Sequence, residues 1–270
     1  ARNRALELAR GDYIQWLDAD DLLLADKIAA QMKVAAHDPD GVDLLSGPWG
    51  RFYHCAERAE YEQTDLWEDL TPTEWLFRKI DQNLWMAPEC WLVSRRLTEA
   101  AGTWNESLLR DNDGDYFNRV IAASRRIRFV PSARSLHRVG VRGISTNATL
   151  SDGKLESICT SLISHVELML SREDSERTRA ACRRLLDRWL IYVYPERPDL
   201  FEQLTSAQRG LGGEPAIPDL RRKYRWIRTL FGWKAAKQAQ WSLPFLRTQA
   251  KSLIERARCG TGPTRRPPLA

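Results

Sequence analysis

The sequence has 270 residues, of which 43% are hydrophobic and 29% are charged, and its formal net charge at pH 7 is +5. This composition excludes a globally disordered chain, because it supplies enough apolar side chains for a packed core. No apolar run approaches the roughly 18 residues that a membrane-spanning helix needs.

The start of the chain and its cysteines give the first expectations. The opening run ARNRALELARGD is a polar helical pattern and not a secretory leader. Because the chain enters this pattern at Ala1, we expect a fragment that lacks the N-terminal part of its protein. The cysteines are odd in number, widely spread and without a CxxC pair. We therefore expect reduced thiols in a cytoplasmic protein, and neither a zinc site nor a disulfide framework.

Predicted helices and strands alternate up to about residue 145. In chain order they are a helix over 3–9, a strand over 13–17, a helix over 24–36, a strand over 42–46, a helix over 71–79, a strand over 90–94, helices over 95–101 and 113–124, and a strand over 127–130. This alternation indicates an α/β sheet domain. Beyond it, helical spacing over 155–170, 175–194 and 219–258 predicts a helical region with a Pro/Gly-rich break at 210–215.

Three carboxylates, Asp18, Asp20 and Asp21, follow directly after the strand predicted over 13–17. In open α/β sheets, ligands bind beyond the carboxyl ends of strands. Asp18 and Asp20 are two residues apart, so in extended chain they point the same way and could hold one hard cation, Mg²⁺ or Mn²⁺. The alternative is that these carboxylates cap the helix that follows them.

The run NRALELARGDYIQWLDADD resembles the middle of family 2 glycosyltransferases with the GT-A fold. In that family an Asn-containing helix, a Gly, a hydrophobic strand and a D-x-D motif follow one another in this order. The resemblance implies a Rossmann-like mixed sheet flanked by helices, here without its N-terminal strands. It also implies that Asn3, Asp18, Asp20 and Asp21 bind the donor, with Asp18 and Asp20 as the metal ligands.

A second run, GTWNESLLRDNDGDYFNRVI, resembles the family element that precedes an acidic pair at the start of a helix. The resemblance implies that Asp113 is the catalytic base, which takes the proton of the acceptor hydroxyl, and that the reaction inverts the anomeric centre. Where the family often has Glu and an aromatic residue around this Asp, the chain has Asn112 and Gly114. Helix N-capping is the alternative role for Asp113.

Candidate acceptor contacts lie around this segment. Arg119 matches the Arg that the family carries on the same helix, and Asp115 stands in the first helical turn. Trp85 and Trp91, in the run LWMAPECWLVSRR, could stack on a sugar, or they could be core or rim aromatics. In the run LHRVGVRGIS, the family position of a metal-binding His falls on Gly140, so the resemblance does not point to His137, three residues earlier.

The resemblance therefore implies a metal-dependent glycosyltransferase that moves a hexosyl or similar group from a nucleotide-diphosphate donor, by expectation a UDP-sugar. Its acceptor would be a glycan, a lipid-linked molecule or a protein. We expect three parts, which are the GT-A part at 1–147, a basic helical extension at 148–258 and a disordered tail at 259–270. This fragment alone is expected to be inactive, because half of the donor site would be absent.

Two other functions stay open. A haloacid dehalogenase-type phosphotransferase also places D-x-D after a hydrophobic strand, but its motif continues with a hydroxyl residue where this chain has Leu22. A non-catalytic, membrane-associated adaptor is suggested by the rear of the chain, where basic and aromatic residues mix in the run RRKYRWIR. For residues 221–258 we weigh a solvated helical face against peripheral contact with the inner face of an anionic membrane. Nucleic-acid binding is not expected, since no recognised motif is present.

Overall fold

The computed structural model describes residues 1–140, 150–218, 220 and 222–259, and within the last range it leaves out the side chains of 241–245. The helices are α1 (Arg2–Leu8), α2 (Lys27–Ala35), α3 (Pro72–Gln82), α4 (Arg95–Ala101), α5 (Asn112–Ala123), α6 (Asp152–Arg172), α7 (Glu176–Val193), α8 (Pro198–Gly210) and α9 (Arg225–Cys259). The strands are β1 (Tyr13–Ile14), β2 (Leu22–Leu23), β3 (Asp43–Ser46), β4 (Trp49–Phe52), β5 (Glu60–Tyr61), β6 (Val93–Ser94), β7 (Arg126–Phe129) and β8 (Ser135–Arg138).

The strands of the described residues form small mixed sheets. β1 pairs antiparallel with β6, β3 pairs parallel with β7, and the remaining strands pair in the order β2-β8-β4-β5. In this last sheet β4 and β8 run parallel, whereas β2 and β5 are antiparallel to their neighbours. A bridge between Leu45 and Leu92 connects β3 to the segment that leads into β6. The chain is thus a mixed α/β structure, as the alternation of elements predicts.

Local sequence signals explain where the helices near the site begin and end. Thr71 caps α3 by accepting a hydrogen bond from the Glu74 amide, with Pro at the first helical position. Ser94 caps α4 in the same way, and Gly102 ends it at φ +76°, a conformation that favours Gly. Gly102 therefore marks the start of the loop between α4 and α5, which forms one wall of the cavity described below.

One apolar core extends from the sheet region into the rear helices. Trp75 and Ile121, on α3 and α5, belong to the same buried cluster as Leu162, Leu186 and Leu204 on α6, α7 and α8. Each such side chain contributes about 1.5–3 kcal/mol on burial. The boundary expected at residue 147 lies outside the described residues, and the helices that follow it pack directly on α3 and α5.

The structure corrects several expectations about single elements. The strand over 13–17 is shortened to β1, while β2, β4, β5, β8 and α8 were not predicted. The last helix is interrupted at Gly232, which has φ +80°. The expectation of reduced thiols is wrong for Cys55 and Cys259, which form a disulfide because α9 returns to the end of β4, although it is correct for the other cysteines. None of the helices in the described ranges is long and apolar enough to cross a bilayer.

Candidate active site

A cavity of about 900 Å³ lies between α1, the end of α3 and the start of α5. Among the residues that the sequence singles out, it is lined by Asn3, Asp18, Trp85, Trp91, Asp113 and His137. The other predicted site residues, Asp20, Asp21, Asp115 and Arg119, are not part of its lining. The structure thus brings together residues from both segments that carry the family resemblance.

Asp18 lies at the end of the segment that follows β1, where Arg2 neutralises it. Arg2 Nη2 donates to Asp18 Oδ1 over 3.0 Å, and the Asp18 side chain is 45% exposed. The same guanidinium lies 4.2 Å above the centre of the Trp104 ring and donates to Asn112 Oδ1 over 3.3 Å. Arg2 therefore connects the carboxylate after β1 with the first residue of α5.

The other two aspartates of the motif point to different surroundings. Asp20 is exposed, and its carbonyl oxygen accepts from Arg138 Nε over 3.1 Å. Asp21 is buried, where its Oδ1 accepts from the Arg138 amide over 2.7 Å and its Oδ2 lies 3.1 Å from His137 Nδ1. Asp21 therefore ties the start of β2 to β8 and does not face the cavity.

The carboxylate oxygens of Asp18 and Asp20 are ligands of the kind that Mg²⁺ and Mn²⁺ bind. Mg²⁺ is commonly bound through one or two carboxylates, with water and substrate phosphates completing its shell. Asp18 and Asp20 are accessible carboxylates two residues apart, and within the described residues neither of them shares a compact three-ligand cluster. Asp18 lines the cavity and Asp20 does not, so the described structure does not bring both carboxylates to the cavity surface.

Asn3 acts on the cavity wall through its amide group. Its Nδ2 donates to the Trp104 carbonyl over 3.0 Å and to Glu106 Oε1 over 2.9 Å, while its Oδ1 accepts from the Trp104 amide over 2.8 Å. Both ends of the side chain therefore hold the loop between α4 and α5 against α1. The resemblance implies a donor contact for Asn3, and this geometry gives it the role of shaping the wall.

Asp113 lies in the first turn of α5, half-buried and on the cavity surface. The residue before this helix, Asp111, has φ +59° and folds its carboxylate back over the turn. A Cβ at position 114 would collide with Asp111 Oδ1. This close approach explains why the chain has Gly114 where the family often has an aromatic residue, and it leaves the space beside Asp113 open.

A polar group that the sequence analysis missed borders the same cavity as Asp113. Asp111 Oδ2 accepts from Ser161 Oγ over 2.5 Å, and His165 Nε2 is 3.6 Å from the same oxygen. Lys79 Nζ donates to Asn118 Oδ1 over 2.6 Å. Burial lowers the pKa values of Lys79 and His165 and raises that of Asp111. No spacing in the sequence connects these residues, because they come from α3, α6 and the loop before α5.

Asp115 and Arg119 support the loop and do not reach the cavity. They form an ion pair within α5, with Arg119 Nη2 2.9 Å from Asp115 Oδ2. Arg119 also donates to the carbonyl oxygens of Ala101 and Thr103, at the end of α4. Their placement favours a structural role over the acceptor contacts that the sequence suggests.

The two candidate tryptophans differ in what they offer a ligand. Trp91 is 1% exposed and packs between Trp75 and Phe117, so its place in the core leaves little ring surface free. Trp85 is 39% exposed, and its ring centre lies 4.4 Å from that of Trp49. Trp85 is therefore the better candidate for stacking on a sugar.

Another ionisable group borders the cavity at His137. Besides its contact with Asp21, His137 Nδ1 lies 3.6 Å from Glu89 Oε1. Burial alone would lower the pKa of His137, but the two carboxylates outweigh it and raise the pKa to about 10. Burial raises the pKa of Glu89. Sequence reasoning missed Glu89, which lies in a short 3₁₀ turn, Pro88–Cys90, between two hydrophobic residues.

Comparison with known proteins finds sequence similarity over part of the chain. Residues 1–100 match the family model described as glycosyl transferase family 2. The chain is 30% identical over 127 residues to an uncharacterized glycosyltransferase, MJ1057, of Methanocaldococcus jannaschii. That similarity covers 45% of this chain and 40% of the archaeal protein, so the chain spans less than half of the relative's length.

Proposed function

Residues 1–100 belong to glycosyl transferase family 2, and from this premise we propose that the protein transfers a sugar from a nucleotide-diphosphate donor to an acceptor hydroxyl, on a GT-A-type fold. The observation that carries the proposal is the shared cavity. Asp18, from the segment after β1, and Asp113, from the first turn of α5, line the same space of about 900 Å³. A donor bound at Asp18 would therefore occupy the same cavity that Asp113 lines.

Asp113 would act as the general base. A sugar hydroxyl is a weak nucleophile at neutral pH, and a carboxylate within hydrogen-bond reach contributes typically about 10²–10⁴-fold by taking its proton. The electron pair of the hydroxyl oxygen then forms the new bond to the anomeric carbon, and the diphosphate leaves with the electrons of the bond that breaks. Attack opposite the leaving group inverts the anomeric centre, as in inverting glycosidases.

The donor side is assigned to Asp18, Asp20 and Arg2. Asp18 and Asp20 would hold Mg²⁺ or Mn²⁺, which supplies positive charge to the departing diphosphate. Arg2 has a planar fork of donors that suits phosphate oxygens as well as the Asp18 carboxylate. Its position above Trp104 keeps this fork at the cavity surface. UDP is our first choice of nucleotide, by analogy with the family.

On the acceptor side, the open ring of Trp85 favours a sugar-containing acceptor, since aromatic faces stack on the apolar faces of sugar rings. A glycan, a glycosylated lipid or a glycoprotein would each present such a ring.

We also propose that α9 touches an anionic membrane surface. Trp226, Leu230 and Phe231 are 57%, 68% and 68% exposed. They alternate with Arg225 and Arg228 at the start of the helix, and a basic amphipathic helix with Trp suits the headgroup region of anionic lipid. Such contact would bring the cavity to lipid-linked acceptors.

The test is a screen of nucleotide sugars for release of nucleoside diphosphate with Mn²⁺ or Mg²⁺. It uses this chain and, in parallel, the full product of the reading frame that contains it. We expect one donor class to be used, and Asp18→Asn to reduce turnover on the order of 10²-fold or more, by loss of charge stabilisation. Asp26→Asn, an exposed carboxylate at the start of α2, is the matched control.

Three outcomes would contradict the proposal. Turnover that is equal in Asp18→Asn and the wild type would remove Asp18 from the donor site. Hydrolysis of simple phosphate monoesters, with no nucleotide sugar used, would favour the dehalogenase-type alternative. Failure to bind Mn²⁺ and UDP at all would favour the non-catalytic adaptor.

A further inference from the structure

Asp21, Glu89 and His137 bring three ligand atoms together at the edge of the cavity. They come from the segment before β2, the turn Pro88–Cys90 and β8, which are far apart in sequence. One carboxylate oxygen from each acid and a ring nitrogen of His137 all lie within 4.8 Å of one another. Separations of this size allow the three atoms to close around one ion after small side-chain rotations.

Glu89 is the feature that calls for a ligand. Its side chain is 0% exposed, and neither carboxylate oxygen has a hydrogen-bond partner. A buried carboxylate normally has partners, because its desolvation is costly. The closest cationic atom in the cluster, His137 Nδ1, is 3.6 Å away, beyond hydrogen-bond length.

His137 cannot satisfy both acids by itself. Its Nδ1 lies 3.1 Å from Asp21 Oδ2, so the single hydrogen on that nitrogen points to Asp21. Glu89 then faces the same nitrogen without receiving a bond from it. A divalent cation that displaces the Nδ1 proton to solvent would accept a lone pair from each of the three atoms and would give Glu89 the partner that it lacks.

We propose that Asp21, Glu89 and His137 form a binding site for a divalent transition cation, with Mn²⁺ as the first choice. Two carboxylates and one imidazole suit Mn²⁺ and its transition-metal neighbours, whereas Mg²⁺ is held mainly by oxygen ligands. The site uses none of the atoms assigned to the Asp18–Asp20 pair. It holds whether or not the protein transfers sugars.

The surroundings hold the three ligands in place. Asp21 Oδ1 accepts from the Arg138 amide over 2.7 Å, which leaves Oδ2 for the cluster. The carbonyl of Glu89 accepts from Gln15 Nε2 over 3.1 Å. The rings of Trp49 and Trp85 flank His137, with ring centres 5.9 and 5.6 Å away. Such support fixes ligand orientation and raises metal affinity.

His137 also connects the site to solvent. Its side chain is 27% exposed and lines the cavity, whereas Asp21 and Glu89 lie behind it. The protein supplies three ligands, and water from the cavity would complete the shell, as in metal sites that keep open positions. A cation here would sit beside the space proposed for the donor and could carry a water molecule or a ligand oxygen into it.

The experiment measures Mn²⁺ binding without nucleotide, by calorimetry and by electron paramagnetic resonance. Mn²⁺ binding is measured first on the wild-type protein. Pulsed electron paramagnetic resonance of the bound Mn²⁺ should show coupling to an imidazole nitrogen. A site made only of carboxylates cannot give this coupling. Glu89→Gln and His137→Gln should each weaken this binding by about 10–100-fold or more. Asp18→Asn/Asp20→Asn should keep it, with the nitrogen coupling unchanged.

Wild-type protein that binds no Mn²⁺, or binds it without nitrogen coupling, would overturn the proposal. So would unchanged affinity in folded Glu89→Gln and His137→Gln proteins, with folding checked by circular dichroism. If the proposed transferase function fails while the nitrogen coupling is present, the metal site stands and the enzyme assignment falls. If sugar transfer is observed but bound Mn²⁺ shows no nitrogen coupling, the enzyme assignment stands and the metal site is rejected.

Discussion

Asp115 Oδ2 lies 2.9 Å from Arg119 Nη2, so these two residues of α5 neutralise each other. Asp113, one position beyond Asn112 on the same helix, faces the cavity instead. The two aspartates share a helical turn and a charge, but one is engaged in an ion pair away from the cavity and the other lies on its wall. They therefore form a natural pair of test positions.

The first prediction compares Asp113→Asn with Asp115→Asn in a transfer assay. Loss of a general base should reduce kcat by about 10²–10⁴-fold with little change in the KM for the donor. Asp115→Asn should lower thermal stability slightly and leave kcat within a few-fold, because it breaks an ion pair at the partly exposed helix surface. Equal losses of kcat in the two variants would remove the distinction between them.

A second prediction concerns Lys27, a fully buried lysine in α2. Its Nζ donates to Gln15 Oε1 over 2.6 Å and to Gln31 Oε1 over 2.7 Å. Burial lowers its pKa to about 8, although Cys90 and Glu89 act in the opposite direction. Between about pH 8 and the ordinary lysine value of 10.5, the unfolded chain therefore binds more protons than the folded protein.

The free energy of unfolding should accordingly rise with pH across this window, by up to about 3 kcal/mol from Lys27. Urea unfolding of the wild type and Lys27→Met at several pH values measures the contribution as the difference between the two curves. Lys33→Met, on the exposed side of the same helix, should run parallel to the wild type. A Lys27→Met curve that also runs parallel would contradict the shifted pKa.

The third prediction tests the membrane contact of α9 with sedimented lipid vesicles. The protein should bind vesicles that contain phosphatidylglycerol, should bind neutral phosphatidylcholine vesicles less, and should be released by salt. Trp226→Ser/Phe231→Ser should lower the partition coefficient on the order of tenfold or more, because two large apolar side chains are lost. Leu8→Ser, an equally exposed apolar residue on α1, is the control, and an equal loss there would contradict the role of α9.

The fourth prediction counts thiols. In denaturant without reductant, three cysteines should react with a thiol reagent, Cys90, Cys159 and Cys182, because Cys55 and Cys259 are paired. All 5 cysteines of the chain should react after reduction. Cys55→Ser/Cys259→Ser should give the same count before and after reduction. Five reactive thiols in the unreduced wild type would show that the pair is not formed.

Local patterns in the sequence predicted much of the fold. The helices α3 and α4 begin where Thr71 and Ser94 provide caps, and α4 ends at Gly102 as predicted. The short strands β2 and β5 escaped notice because two residues carry no period. The Cys55–Cys259 pair escaped for another reason, since its two members are separated by 204 residues and meet only through tertiary packing.

The candidate site also contains residues that local motifs predict and residues that they do not. Asp18 and Asp113 were predicted because each stands in a local motif, and the structure puts both on one cavity. Glu89 and Lys79 could not be found by such reasoning, because neither stands in a recognised local motif. Their importance comes from burial next to groups on other elements, which no single stretch of sequence records.

The common core of the sheet region and the rear helices bears on how this protein could be rearranged. α6 and α7 cover apolar side chains of α3 and α5, including Trp75 and Ile121. A fusion protein or a domain exchange with its junction near residue 147 would expose these apolar side chains of α3 and α5 to solvent. Such exposure favours aggregation. The sheet region and the helices α6 and α7 should therefore be transferred together in any fusion protein. Any shortened version of the chain should keep α6 and α7.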